Sequence, residues 1–235
     1  MFSLPVKNSN EEYVINPSKI IAMGLNYKSH IFETAMSGIR GFTSEIPNEP
    51  VIFPKTPNTL IPHQGCIVIP KFIYNCGFKN VRVDYEAELA FIINQRCKNV
   101  KKENAYDYIY GFMCANDVSQ RNIQNHDKSG WFRGKSLDTF CPVGPHIVKT
   151  ADIGDPQNLK IECRLNGTTV QSTSTNQMLF TIPEIVEYIT MNFTLEAGDI
   201  ILTGTPEGVG AIKPGDKIEV EIENIGILES GVVSE

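Results

Sequence analysis

Acids recur at every second position in V-D-Y-E-A-E-L-A-F-I-I, the stretch from Val83 to Ile93. This period of two reads as a strand, with Val83, Tyr85, Ala87, Leu89 and Phe91 on one face and Asp84, Glu86 and Glu88 on the other. Neighbours on one face lie roughly 6.5–7 Å apart, so Glu86 and Glu88 can lean toward a point between them. Taken alone, the row suits a solvated outer face or a charged edge strand that resists edge pairing. It also suits a cation site, because the same face turns apolar at Ala90 and Ile92 and leaves the acids at the mouth of a core. Carboxylates so aligned repel unless a cation screens them. Oxygen-only ligation favours magnesium, manganese or calcium over zinc.

Other stretches carry chemistry-bearing groups. In N-Y-K-S-H-I-F-E-T-A, which can form a short helix, His30 and Glu33 fall at i and i+3 on one face, as an acid–histidine pair or an ordinary surface pair. The run Gly111 to Val118 reads as a buried strand ending in Asn116 and Asp117, and an acid there needs a partner. The segment S-Q-R-N-I-Q-N-H-D-K reads as helix, with Arg121 and Gln124 at i and i+3. Lys135 stands between Gly134 and Ser136 in Trp131 to Pro145, which reads as a loop. The glycine-rich loop from Gly204 to Gly210 matches neither nucleotide-binding pattern and precedes a strand, so it gives no support to nucleotide binding. A tight turn explains it, although its glycines also let backbone approach a ligand, beside the Thr205 hydroxyl.

The positioning elements are mostly short strands. Lys19 to Leu25, Val51 to Lys55 and Cys66 to Ile69 read so, punctuated by Pro54, Pro57, Pro62 and Pro70. Leu159 to Leu165 and Thr168 to Ser172 flank Asn166-Gly167, the preferred dipeptide of a type I′ hairpin. Thr181 and Glu184 match a capping box, and Glu103 to Tyr110 reads as a short helix. Met36 to Pro50 has no periodicity and reads as a long loop of the kind that serves as a lid. No internal period recurs, and no linker divides the chain. One domain is expected over residues 1–235, with 1–18 as an N-terminal extension and 36–50 as the lid.

A net charge of -6 and no basic run give no footprint for nucleic acid or an anionic membrane. The N-terminus lacks signal-peptide character and no stretch approaches the roughly 20 apolar residues of a spanning helix, so the cytoplasm is the expected location. Six cysteines form no C-x-x-C pair, which points to reduced thiols.

In order, the motifs N-Y-x-x-H-x-x-E (Asn26 to Glu33), E-P-V-I-F (Glu49 to Phe53), D-Y-E-A-E-L (Asp84 to Leu89) and N-D-V-S-x-R (Asn116 to Arg121) resemble the fumarylacetoacetate hydrolase family. So do R-G-K-S-x-D-T-F-C-P-x-G-P (Arg133 to Pro145) and G-D-I-I-L-T-G-T-P-x-G-V-G (Gly198 to Gly210). The likeness runs from about Ile20 to the C-terminus and is to the short single-domain members. It implies a predominantly β, α+β fold of mixed β-roll or barrel type with a few short helices, and a homodimer. It further implies a divalent metal, Mg2+ with Mn2+ or Ca2+ as alternatives, on Glu86, Glu88 and Asp117. By the same matching Arg121, Gln124, Lys135 and Thr205 line the substrate pocket, and His30 with Glu33 forms a general-base dyad. Many relatives acting on acylpyruvates or oxaloacetate carry Arg where Leu25 stands here.

The implied activity is metal-dependent hydrolysis of a carbon–carbon bond in a 2,4-dioxo acid, giving pyruvate and a carboxylic acid. Oxaloacetate decarboxylation or tautomerisation, or isomerisation of a 2-hydroxyhepta-2,4-diene-1,7-dioate type, is the alternative within enzymes. A noncatalytic metal-binding module on the same fold is the alternative outside them; the joint presence of His30, Glu33 and Lys135 speaks against it.

Overall fold

The computed structural model describes residues 1–36, 44–126, 128 and 131–235. As expected, strands dominate an α+β fold with short helices, and the main sheet curls into a half-barrel. That sheet has seven strands in the order Val51–Lys55, Ile20–Gly24, Ile200–Leu202, Ala87–Ile93, Ile109–Asn116, Cys141–Lys149 and Leu60–Ile61. Its pairings are antiparallel except where Ile200–Leu202 meets Ile20–Gly24 and where Cys141–Lys149 meets Leu60–Ile61. A five-stranded sheet runs Thr168–Ser174, Lys160–Leu165, Lys217–Ile222, Gly226–Ser234 and Cys66–Ile69. A three-stranded sheet places Val83–Tyr85 between Ser119–Gln120 and Gly210–Ile212.

The strand Ala87–Ile93 is buried on both faces, and its alternation decides which core each residue joins. Ala87, Leu89, Phe91 and Ile93 pack into the larger core, together with Ile161, Val220 and the apolar side of helix Ile182–Asn192. Ala90 and Ile92 enter a second core with Leu4 and Ile15, from the hairpin Phe2–Pro5/Glu12–Ile15. Burial of each Leu, Ile or Phe side chain among these is worth about 1.5–3 kcal/mol. Glu88 therefore points to the side that continues into the second core.

Local signals gave the expected local structures. Thr181 and Glu184 form the capping box of helix Ile182–Asn192. The hairpin turn has Asn166 and Gly167 at φ 50° and 81°, the left-handed pair that a type I′ turn requires. All six cysteines are free thiols. No helix among the described residues is long and apolar enough to cross a membrane.

Five local expectations need correction. Val83 to Ile93 is two strands in different sheets, broken at Glu86. There the backbone N–H of Glu86 donates to the Asn116 side chain at 2.9 Å, and its carbonyl accepts from Asp117 N at 2.8 Å. The acids are buried and Ala87–Ile93 is internal to its sheet, which rules out both a solvated face and an edge strand. Trp131 to Pro145 contains the one-turn helix Phe132–Lys135 and the start of strand Cys141–Lys149. Glu103 to Tyr110 is a 3₁₀ segment, Lys102–Tyr108, with Tyr110 already in the next strand, and Ser119 and Gln120 belong to a sheet rather than to helix Arg121–His126. Of Met36–Pro50, expected as a lid, Met36 ends helix Lys28–Met36, residues 37–43 lie outside the described residues, and 44–50 form neither helix nor strand.

Candidate active site

Two adjacent strand ends bring the acids together. Ala87–Ile93 pairs with Ile109–Asn116 so that Ala87 faces Asn116, which leaves Glu86 and Asp117 side by side just beyond the ladder. Glu88 faces Ala115 one step inward. One oxygen from each of Glu86, Glu88 and Asp117 lies within 4.8 Å of the others, and all three residues are buried. Asp84 belongs elsewhere: it accepts from Arg82 Nε and Arg121 Nε, each at 2.8 Å, and so anchors Arg121.

Cations are built in around this cluster. Lys135 Nζ bridges Glu86 Oε2 at 2.5 Å and Asp117 Oδ2 at 2.6 Å. Arg121 holds Glu86 Oε1 through one terminal nitrogen and Gln124 Oε1 through the other at 3.0 Å. Lys55 Nζ lies 2.7 Å from Asp117 Oδ1 and also donates to the Lys135 carbonyl. Burial works to raise the Glu86 carboxyl, but Lys135 and Arg121 outweigh it and hold the group well below the usual range. Glu88 behaves oppositely, because burial, with Asp117 and Glu86 alongside, pushes it well above that range.

The acid set fits a hard divalent cation. Glu88 Oε1 is buried with no hydrogen-bond partner among the described residues, an acceptor held in low dielectric with its lone pairs unused. Carboxylate-only ligation of this kind suits magnesium, manganese or calcium.

Glycines and short helices set the rest. Gly204, at φ +92°, donates its N–H to Glu88 Oε2 at 2.6 Å, and a Cβ there would come within 2.8 Å of Asn26 Cβ. Asn26 in turn donates to Thr203 O at 2.8 Å, which couples the N-Y motif to the glycine loop. Gly134 packs against helix Arg121–His126 so closely that a Cβ would meet Gln120 O and Gln124 N at 2.8 Å, and this seats Lys135. Gly24 leaves room for the Trp131 ring, which meets Phe53 edge-on at 5.2 Å. Lys135 Nζ sits 4.9 Å from the centre of the Phe53 ring, within cation–π range.

His30 and Glu33 share helix Lys28–Met36, with Nδ1 3.1 Å from Glu33 Oε2. Glu33 Oε1 accepts the Gly208 N–H at 2.9 Å. Burial tends to raise the Glu33 carboxyl, but hydrogen bonds from His30 and Gly208 outweigh it and hold the group below the usual range. Thr34 donates its hydroxyl hydrogen to the His30 carbonyl at 2.7 Å. In the tautomer that carries its hydrogen on Nδ1, toward Glu33, Nε2 holds the lone pair, 3.4 Å from Thr34 Oγ1.

A single cavity is lined by His30, Glu86, Arg121, Gln124, Lys135 and Thr205. Met23, Leu25, Phe53 and Trp131 close its apolar side. Leu25 has φ +57°, an uncommon conformation for a bulky residue. The cavity volume of ≈ 20 Å³ is that of about one water. Hollows of ≈ 440 and ≈ 540 Å³ open elsewhere, and neither touches the acids. Sequence reasoning missed Lys55 and Gln171; Lys55 had a signal, since alternation puts it on the face of Phe53 in Val51–Lys55.

Comparison with known proteins agrees with this architecture. The profile of the fumarylacetoacetate (FAA) hydrolase C-terminal family matches residues 19–233. Oxaloacetate tautomerase YisK of Bacillus subtilis (strain 168) is 40% identical over 92% of this chain and 70% of its own. The crystal structure of 5-carboxymethyl-2-hydroxymuconate delta-isomerase from Mycobacterium smegmatis superposes with a TM-score of 0.80 at 38% identity, covering 94% of this chain and 78% of that one. Fumarylpyruvate hydrolase from Pseudomonas aeruginosa, solved in complex with Mn2+ and pyruvate, has a TM-score of 0.84 at 26% identity, covering 100% of this chain and 96% of that one. With the motifs in order along the chain and the profile spanning nearly all of it, this protein belongs to the fumarylacetoacetate hydrolase family, whose members named above are enzymes.

Proposed function

We propose that the chain is a divalent-metal-dependent enzyme that moves a proton at C3 of a small 2-oxo acid, with the keto–enol conversion of oxaloacetate as its reaction. The observation that carries this is the convergence of His30, Lys135, Arg121, Gln124 and Thr205 on one cavity beside three buried acids. Glu86, Glu88 and Asp117 would hold the cation, magnesium or manganese, which when bound supplies Lewis acidity toward the 2-oxo oxygen. Lys135 adds a positive charge where the enol oxygen develops its own negative charge. His30 Nε2 accepts the C3 proton, and Glu33 stabilises the imidazolium so formed through Nδ1. Return of that proton to the oxygen completes the enol, and the reverse sequence restores the ketone. Arg121, Gln124 and Thr205 orient the carboxylates. Support for the substrate comes from the 40% identity to an oxaloacetate tautomerase.

Hydrolysis of an acylpyruvate is the second reading. It is favoured by the match to fumarylpyruvate hydrolase over 100% of this chain and 96% of that one. The same base would then take a proton from water, whose oxygen attacks the distal carbonyl while the C–C bond electrons pass to the pyruvyl fragment as its enolate. Two assays separate the readings: decay of the oxaloacetate enol absorbance, and pyruvate release from acetylpyruvate, each with Mg2+ and after EDTA. Activity on oxaloacetate that survives exhaustive EDTA would refute the metal-dependent reading, and pyruvate release without tautomerisation would establish the second. A homodimer belongs to the same proposal; sedimentation of only a 26.2 kDa species at micromolar concentration would exclude it.

A further inference from the structure

Gln171 lies in strand Thr168–Ser174, is 2% exposed, and is remote in sequence from the other residues of the candidate site. Both ends of its amide are in use. Oε1 accepts from Ala87 N at 3.0 Å, and Ala87 is the residue between Glu86 and Glu88. Nε2 donates to Thr205 Oγ1 and to Pro206 O, each at 2.9 Å, with Glu207 O at 3.4 Å. The amide orientation is fixed by its partners, because a backbone N–H can only donate and a carbonyl can only accept.

The consequence falls on Thr205. Its oxygen accepts from Gln171, so its one hydrogen is left for another acceptor, and no described residue takes it. Thr205 lines the cavity. We propose that Gln171 is a positioning residue that, by donating to the Thr205 oxygen, turns the Thr205 hydroxyl hydrogen into the cavity, aimed at a carboxylate or oxo oxygen of the bound acid. This rests on the 2-oxo acid reading above and adds the source of its polarity. The same amide sets the donor's place relative to the acids through Ala87. The strand is bulged at this point: Cys163 pairs with Gln171 but Arg164 with Thr169, which leaves Val170 as the extra residue. Val170 O lies over Gly208, whose N–H holds Glu33. Gln171 thus sits where the acids, the donor and the dyad are tied to one strand.

The test uses oxalate, whose two carboxylates stand in for the carboxylate and 2-oxo group, titrated into the Mg2+-loaded full chain. Binding is read by calorimetry and by emission of Trp131, the single tryptophan, which lines the cavity. The carboxylate introduced by Gln171→Glu would offer only acceptors, turning the Thr205 hydrogen inward, and the oxalate Kd should rise about tenfold or more. Thr205→Val should show a similar loss, and Thr205→Ser should bind as wild type does. In the Thr205→Val background, Gln171→Glu should cause no further loss. Equal oxalate affinity in Gln171→Glu and wild type, or losses that multiply in the double variant, would overturn the proposal, since a general structural or charge effect persists without the hydroxyl. If Gln171→Glu does not fold by far-UV circular dichroism, Gln171→Met replaces it in the same cycle, with a loss of about threefold or more that must vanish in the Thr205→Val background. A wild-type chain that binds no oxalate would overturn the 2-oxo acid reading itself, and this proposal with it.

Discussion

The backbone N–H of Gly208 donates to Glu33 Oε1 at 2.9 Å, so the acid of the candidate dyad is held by the glycine loop as well as by its own helix. Gly208 has φ +95°, and a Cβ there would stand 2.1 Å from Val170 O. Gly208→Ala must therefore shift the loop, at a cost of about 1–3 kcal/mol in stability. Glu33 then loses a donor that helps keep its carboxyl below the usual range. If activity requires ionised Glu33, it is lost as pH falls through the Glu33 pKa, and the acid limb of the pH–rate profile should move to higher pH. An unmoved limb would show that the loop does not tune Glu33.

Lys55 is expected to matter for the metal-free fold and to oppose the metal. Its ammonium, fully buried, faces Asp117 Oδ1 at 2.7 Å. Lys55→Met leaves that carboxylate under-compensated, a change of the kind that costs about 3–5 kcal/mol. The acid cluster also becomes more negative by one charge, so divalent-cation affinity should increase. Urea unfolding in EDTA and cation titration measure the two effects, and weaker metal binding would contradict the second.

Glu88→Gln separates metal binding from folding. The folded chain holds the Glu88 carboxyl well above its unfolded value of about 4.3. Between those two pKa values the folded state binds the extra proton, so without metal Glu88 lowers stability progressively as pH rises from about 4.3. Gln resembles the protonated acid and should remove that decline while abolishing cation binding. Urea melts in EDTA from pH 4 to 7 should show wild type losing ground to the variant, and parallel curves would count against it.

His30→Ala tests the base. General-base catalysis is worth about 10² to 10⁴ in rate, and oxaloacetate tautomerisation should fall by that order with the Tm little changed. Glu33→Gln should follow in milder form, because the imidazole stays while the charge that favours its protonated form is lost. Acetylpyruvate cleavage, measured in parallel, should fall in step if water activation uses the same nitrogen. A kcat untouched by His30→Ala would make the pair structural.

Much of this was legible because it is local. Asn166-Gly167 and the Thr181–Glu184 box depend on neighbours within four residues, and both formed as their residue types require. The alternation around Glu86 and Glu88 was also readable, but its break was not, since Glu86 leaves the ladder to meet Asn116 and Asp117, residues in another part of the chain. Lys55 left a trace in the alternation of its strand. Gln171 left none: T-T-V-Q-S-T-S has no apolar period, and its partners lie 84 residues back, at Ala87, and 34 ahead, at Thr205.

The glycine loop has a consequence in time as well as in space. Gly204 reaches Glu88 across 116 residues, and Gly208 reaches Glu33 across 175. During synthesis the acids and the histidine emerge long before the backbone donors that hold them, and closing loops of such length is the slow, entropically opposed part of folding. A nascent chain that has passed Lys135 but not yet reached Gly204 contains every titratable group of the candidate site and none of the loop that orients them. Assembly of the site therefore waits on the loop from Gly204 to Gly210.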